Sequence, residues 1–146
     1  MDYSQFLAMK QEIGLLVIFL LVFFYDTFMP KKSQGALAGI TTMLFGIFTL
    51  NGFFCPCLSG ACATDAFAGM YNTSAIVVAI KNILNIGVFI VLIQSMKWAN
   101  SEDQVIRRGE FYELLLVTLF GMYLMISARH FLLFVIGLEA ASLPLA

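Results

Sequence analysis

Apolar side chains along this chain fall into five blocks, residues 13–28, 35–54, 71–95, 111–127 and 131–146. Short stretches between them hold most of the charges. Inside the blocks the apolar residues run nearly unbroken, without the period-two alternation of a membrane β-strand. A hydrocarbon core of roughly 30 Å is crossed by about 20 residues of helix. The five blocks approach that length, and the third can begin as early as Ala66. The pattern predicts an all-α integral membrane protein with about five transmembrane helices.

Composition agrees. The chain has 146 residues, is 61% hydrophobic and only 12% charged, where soluble domains carry about a quarter charged residues. Its mean hydropathy is +0.93. The first block is expected to stay as a helix rather than serve as a signal peptide. Acidic Asp2 and Glu12 precede it, and Asp26, Met29 and Pro30 stand where a small-residue cleavage site would be. A net charge of −1 points to no nucleic-acid partner, and the chain has no basic tract, glycine-rich phosphate loop or nucleotide fingerprint. No cofactor bound by this chain is expected.

Lysine and arginine in short loops set orientation. Lys31 and Lys32 lie in the first loop, and Lys97, Arg107 and Arg108 border the third. Against them stand only Lys10 in the N-terminal tail and Arg129 in the fourth loop. The first and third loops are expected in the cytoplasm and the N-terminus outside, with Trp98 as an interfacial anchor.

Charges inside the blocks carry the candidate chemistry, because a charge in hydrocarbon costs several kcal/mol. Glu139 lies eight residues after Phe131, roughly 12 Å along a helix and so near mid-membrane. Gly137, Ala140 and Ala141 surround it, and such small residues let helices approach closely. Pro144 has no N–H and so frees the carbonyl of Ala140. Glu139 is thus a proton-relay candidate, with a structural ion pair as the alternative.

Lys81 is the second candidate, with Asn82 and Asn85 close by. If its helix starts near Tyr71, its aliphatic stem can reach the headgroups. If the helix starts near Ala66, Lys81 is deep and needs a partner. Glu113, near a helix start, reads as a solvated interfacial carboxylate. Arg129 and His130, between the last two blocks, read as interfacial anchors, although histidine can shuttle protons. Cys55, Cys57 and Cys62 share the second loop. They fall short of the four ligands of an iron–sulfur cluster or a structural zinc. Free thiols are expected, or one disulfide involving Cys62 in an oxidising space.

Three motifs resemble a known family. Glu110-Phe111-Tyr112 leading into an apolar helix, Gly137-Leu138-Glu139 followed by Ser142-Leu143-Pro144-Leu145, and Asp65-Ala66-Phe67 before the third block are similar to sequences of the N-subunit family of bacterial NADH–quinone oxidoreductase, respiratory complex I. The match is specific over residues 109–146 and looser before them. The resemblance implies an antiporter-like, proton-pumping subunit built on two inverted five-helix repeats, each with a broken helix. This chain would supply three leading helices and two helices of the first repeat. The family's partner lysine, on its seventh helix, would lie beyond Ala146.

The resemblance further implies a multi-pass place in the cell (inner) membrane and, as partners, the lipid bilayer and other membrane subunits of complex I. NAD and quinone would be used by the parent complex, and this chain would be a non-redox part of the translocase, inactive in isolation. The last block, 24 Å long if helical, has no polar stop after it. The expectation is therefore the N-terminal part of a longer protein, the first part of a larger helical bundle. Two other functions fit the residues: a subunit of a multi-subunit cation/proton antiporter, and a small structural membrane protein.

Overall fold

The computed structural model describes residues 9–28, 35–54, 64–66, 69, 71–99 and 108–145. Five α-helices and one small hairpin follow in order: α1 (Lys10–Phe28), α2 (Gly35–Phe54), β1 (Thr64–Ala66), β2 (Tyr71–Thr73), α3 (Ala75–Ala99), α4 (Arg108–Ser127) and α5 (Phe131–Ser142). A 3-10 turn, Leu143–Leu145, follows α5. Lys10–Phe28, Ala36–Phe54, Ala75–Trp98 and Gly109–Ser127 are long and apolar enough to cross a membrane. Helix is the form apolar blocks take in lipid, since it satisfies every backbone polar group within the segment. Intramembrane threonines do the same with their hydroxyls: Thr42, Thr49 and Thr118 donate to the carbonyls of Ala38, Phe45 and Leu114 at 2.7, 2.8 and 2.9 Å.

The element boundaries depart from the hydropathy blocks in five places, one of them the third helix running on to Ala99 rather than residue 95. The first helix begins at Lys10 rather than residue 13 and so takes Glu12 into its first turn. The third begins at Ala75, not at Tyr71 or Ala66. There Tyr71–Thr73 pairs antiparallel with Thr64–Ala66, in the register Thr64↔Thr73, Asp65↔Asn72 and Ala66↔Tyr71. Ser74 then caps the helix, its Oγ accepting the Val77 N–H at 3.4 Å. Between the strands Gly69 adopts φ +83°, open to glycine at no steric cost. The fourth helix starts at Arg108. The fifth ends at Ser142, because Pro144 cannot continue the ladder and sits in the 3-10 turn. It is 12 residues long, shorter than a full crossing.

Helix α4 is the hub, touching α1, α2, α3, α5 and β2. The core joins Leu15, Ile18 and Val22 of α1, Leu37 and Phe45 of α2, Leu92 of α3, and Tyr112, Leu116, Leu119 and Tyr123 of α4. Large apolar side chains such as Met43, Ile76 and Ile83 point outward at 73%, 73% and 68% exposure, the reverse of a soluble protein and as expected of a lipid-facing surface.

The start of α1, the end of α2, the hairpin, the start of α3 and the α4–α5 hinge share one end of the bundle. Contacts among Glu12, Tyr71, Lys81 and Ser127, and between Asn82 and the Gly52 carbonyl, join them. At the other end Asp26 lies against Gly109, and Trp98 packs on Phe111 with ring centroids 5.4 Å apart.

Candidate functional site

Lys81 lies six residues past the start of α3, about 9 Å along the helix, on a side that faces the bundle. It is 1% exposed and forms an ion pair with Glu12, itself 2% exposed. Burial of both charges would be costly without further hydrogen bonds, and the surroundings supply them. The Tyr71 hydroxyl donates to Glu12 Oε1 at 2.7 Å and accepts from Lys81 Nζ at 3.1 Å. Ser127 Oγ approaches the same carboxylate oxygen at 3.5 Å. Lys81 Nζ also stands 5.3 Å from the ring centre of Tyr71 and 5.4 Å from that of Tyr123, within cation–π range.

A polar rim continues along α3. Asn82 donates to the Gly52 carbonyl and accepts from Gln11 Nε2, both at 3.2 Å. A Cβ at residue 52 would lie 2.7 Å from Asn82 Oδ1, so glycine there admits the amide. One turn deeper, Asn85 accepts a hydrogen bond from the Tyr123 hydroxyl. Among the described residues three buried polar atoms have no protein partner: Glu12 Oε2, Thr41 Oγ1 and Asn85 Nδ2.

The choice posed by the sequence for Lys81 is thereby resolved against snorkelling. Although α3 starts after Tyr71, the lysine does not run to the headgroups, because Glu12 and Tyr71 meet it inside the bundle. Sequence reasoning placed Glu12 outside the first block and missed its part in the site. A buried lysine that needs a partner was the only signal, and it does not name the carboxylate.

Glu139 is placed elsewhere. Helix α5 folds back along α4, and the two backbones nearly touch. A Cβ at Gly121 would lie 2.4 Å from Ala141 N, and one at Gly137 2.8 Å from Met125 N. Gly137 is buried against α4. Glu139, two residues on and so about 200° around the helix, is exposed on the outer face. Its backbone carbonyl accepts from the Leu143 N–H and from Ser142 Oγ. Among the described residues no ion pair joins Glu139 to Lys81.

At the hinge, His130 caps α5: its Nδ1 accepts the Leu132 N–H at 3.3 Å. His130 and Arg129 are both exposed. Glu113 is partly buried at the opposite end, near Asp26 and Glu110. Cys55, Cys57 and Cys62 lie outside the described residues. Among those described, no three His, Cys, Asp or Glu side chains group to hold a metal.

Fold and site together define a multi-pass helical membrane protein with a buried ion pair at one end and a separate carboxylate on an outward helix face. No protein-family model matches the chain. Curated proteins do. It is 40% identical over all 146 residues to NADH-quinone oxidoreductase subunit N of Azobacteroides pseudotrichonymphae, and 38% identical over all 146 to subunit N of Phocaeicola vulgatus. Subunit N of Methylovorus glucosotrophus is 28% identical over 97% of the chain. The chain spans about 30% of the length of the first two relatives. The resemblance to the N-subunit family, read from a few motifs, thus extends along the whole chain.

Proposed function

We propose that this chain is part of a proton-translocating N-type membrane subunit of an NADH–quinone oxidoreductase, with Glu139 as a proton-carrying group and Lys81 as a second. The observation that carries this reading is a lone carboxylate within an apolar helix, on a face the bundle leaves open, in a chain similar to subunit N throughout. An unpaired charge there is unfavourable in lipid. A cation from the remaining part of the subunit would meet it there. The chain's own role is non-redox: NAD and quinone are handled by the parent complex, and other membrane subunits of that complex are its neighbours. The place is the cell membrane, with the N-terminus and the hairpin outside.

The test is made in the full-length subunit within its complex. Glu139→Gln keeps size and hydrogen bonding but removes the titrating proton. It lowers proton pumping in vesicles while subunit content stays normal, since a buried amide costs less than an unpaired charge. Glu139→Asp retains part of the activity. Normal pumping by the Gln variant refutes the role, and loss of the subunit from the complex assigns Glu139 to a structural ion pair instead.

A further inference from the structure

The buried pair lies within two turns of the bundle end that carries the hairpin, and its hydrogen bonds link the two charged groups yet leave one carboxylate oxygen unmatched. A structural bridge buried this far is complete only when hydrogen bonds satisfy all of its polar atoms, and this one is not complete. Here the Tyr71 hydroxyl accepts from Lys81 and donates to Glu12, so the two charged groups are joined directly and also through an exchangeable proton. Ser127 brings a second hydroxyl to the same carboxylate oxygen. The other oxygen, Glu12 Oε2, is buried with no protein partner, as is Asn85 Nδ2. A buried polar group of this kind is satisfied by water. Glu12 stands in the first turn of α1, so the aqueous phase on that side is close.

We propose that Glu12 and Lys81, bridged by Tyr71 and Ser127, form a second proton-binding site that exchanges a proton with water at the hairpin end of the bundle. In the elementary step an N–H bond of the Lys81 ammonium breaks and an O–H bond forms on Glu12 Oε1. The N–H electron pair stays on nitrogen, leaving a neutral amine and a neutral carboxylic acid. The acid releases its proton to water, and water returns one to the amine. In a desolvated pocket the neutral pair and the ion pair lie closer in energy than they do in water, because burial penalises both charges. The other titratable side chains around the pair, among the described residues, are Tyr71 on β2 and Tyr123 on α4. From α2 the nearest contribution is the Gly52 carbonyl, reached through Asn82.

The site's place in a proton path rests on the translocation reading above; proton binding at Glu12 does not. The experiment uses the full-length subunit in its complex and compares Glu12→Asp with the double variant Glu12→Gln/Lys81→Met. The double variant leaves no unpaired buried charge, so assembly is retained. Infrared difference spectra of the purified complex between two pH values show a carboxyl band that shifts in Glu12→Asp and vanishes in the double variant. Vesicles carrying the double variant lose protons moved per electron pair at unchanged subunit content. A spectrum with no Glu12-dependent band overturns the site, and a double variant that pumps like the parent takes it out of the proton path. If that parental pumping accompanies failure of Glu139→Gln, the subunit reading stands and only the second site's place in the path falls. If pumping ignores both substitutions while the Glu12 band is present, the translocation reading falls and proton binding at Glu12 remains.

Discussion

The close approach of α4 and α5 sets where Glu139 sits, and Gly121→Ala tests it. A Cβ at this position would lie 2.4 Å from Ala141 N and 2.8 Å from both Ala140 C and Ala141 Cα. All three are backbone atoms of the facing helix, so no side chain can swing aside. Ordinary contact begins at about 3.4 Å, and the helices must part by about 1 Å. Overpacking of this kind costs about 1–3 kcal/mol, and rigid backbone on both sides puts Gly121 at the upper end. Alanine's better helix propensity returns about 1 kcal/mol, so the net loss is about 2 kcal/mol. Gly87→Ala is the control. It lies mid-helix on α3 with nothing within 4 Å, and there the same propensity leaves the protein unchanged or about 1 kcal/mol more stable. SDS-titrated unfolding of the full-length subunit in detergent, followed by helical circular dichroism, reads the difference. A Cβ at Gly137 meets the same contact, 3.0 Å from Gly121 O. The double Gly121→Ala/Gly137→Ala variant therefore loses less than the sum of the two singles, by about 0.5 kcal/mol or more. If Gly121→Ala is as stable as Gly87→Ala, the two helices do not touch through their backbones and the placement of Glu139 on the outer face loses its basis.

Two further outcomes are expected. Tyr71→Phe keeps the ring beneath Lys81 but removes the hydroxyl shared by the buried pair. It destabilises the subunit by about 1–3 kcal/mol in the same titration, the range for leaving buried polar groups unsatisfied, and an unchanged midpoint refutes the bridging role. For orientation, Glu102→Cys is introduced with Cys55, Cys57 and Cys62 replaced by serine. It stays unreactive toward an impermeant thiol reagent added outside spheroplasts, and labelling from outside reverses the topology.

The membrane character of this chain and the four long helices were legible in the pattern of apolar blocks, because lipid imposes one requirement on every spanning segment and hydropathy reports it directly. At Pro144 the missing N–H is a local property and marks a loosened turn, but the apolar block reads as helical to residue 146, whereas the helix ends at Ser142. Helix starts were less legible. Polar residues such as Glu12 read as loop, yet they join α1 when a partner meets them within the bundle. Tyr71–Thr73 adjoins the apolar run of α3 and reads with it, but pairing with Thr64–Ala66 and the Ser74 cap take it out of the helix. Glu139 and Lys81 stood out in the sequence as charges in apolar surroundings. Their different environments did not, because nothing local distinguishes a side chain turned inward from one turned outward. Only packing decides that Lys81 meets Glu12, 69 residues away in sequence, and that the glycine contact between α4 and α5 turns Glu139 to the open face. Hydropathy is a sum over neighbours along the chain, whereas an ion pair is settled by which helices come together.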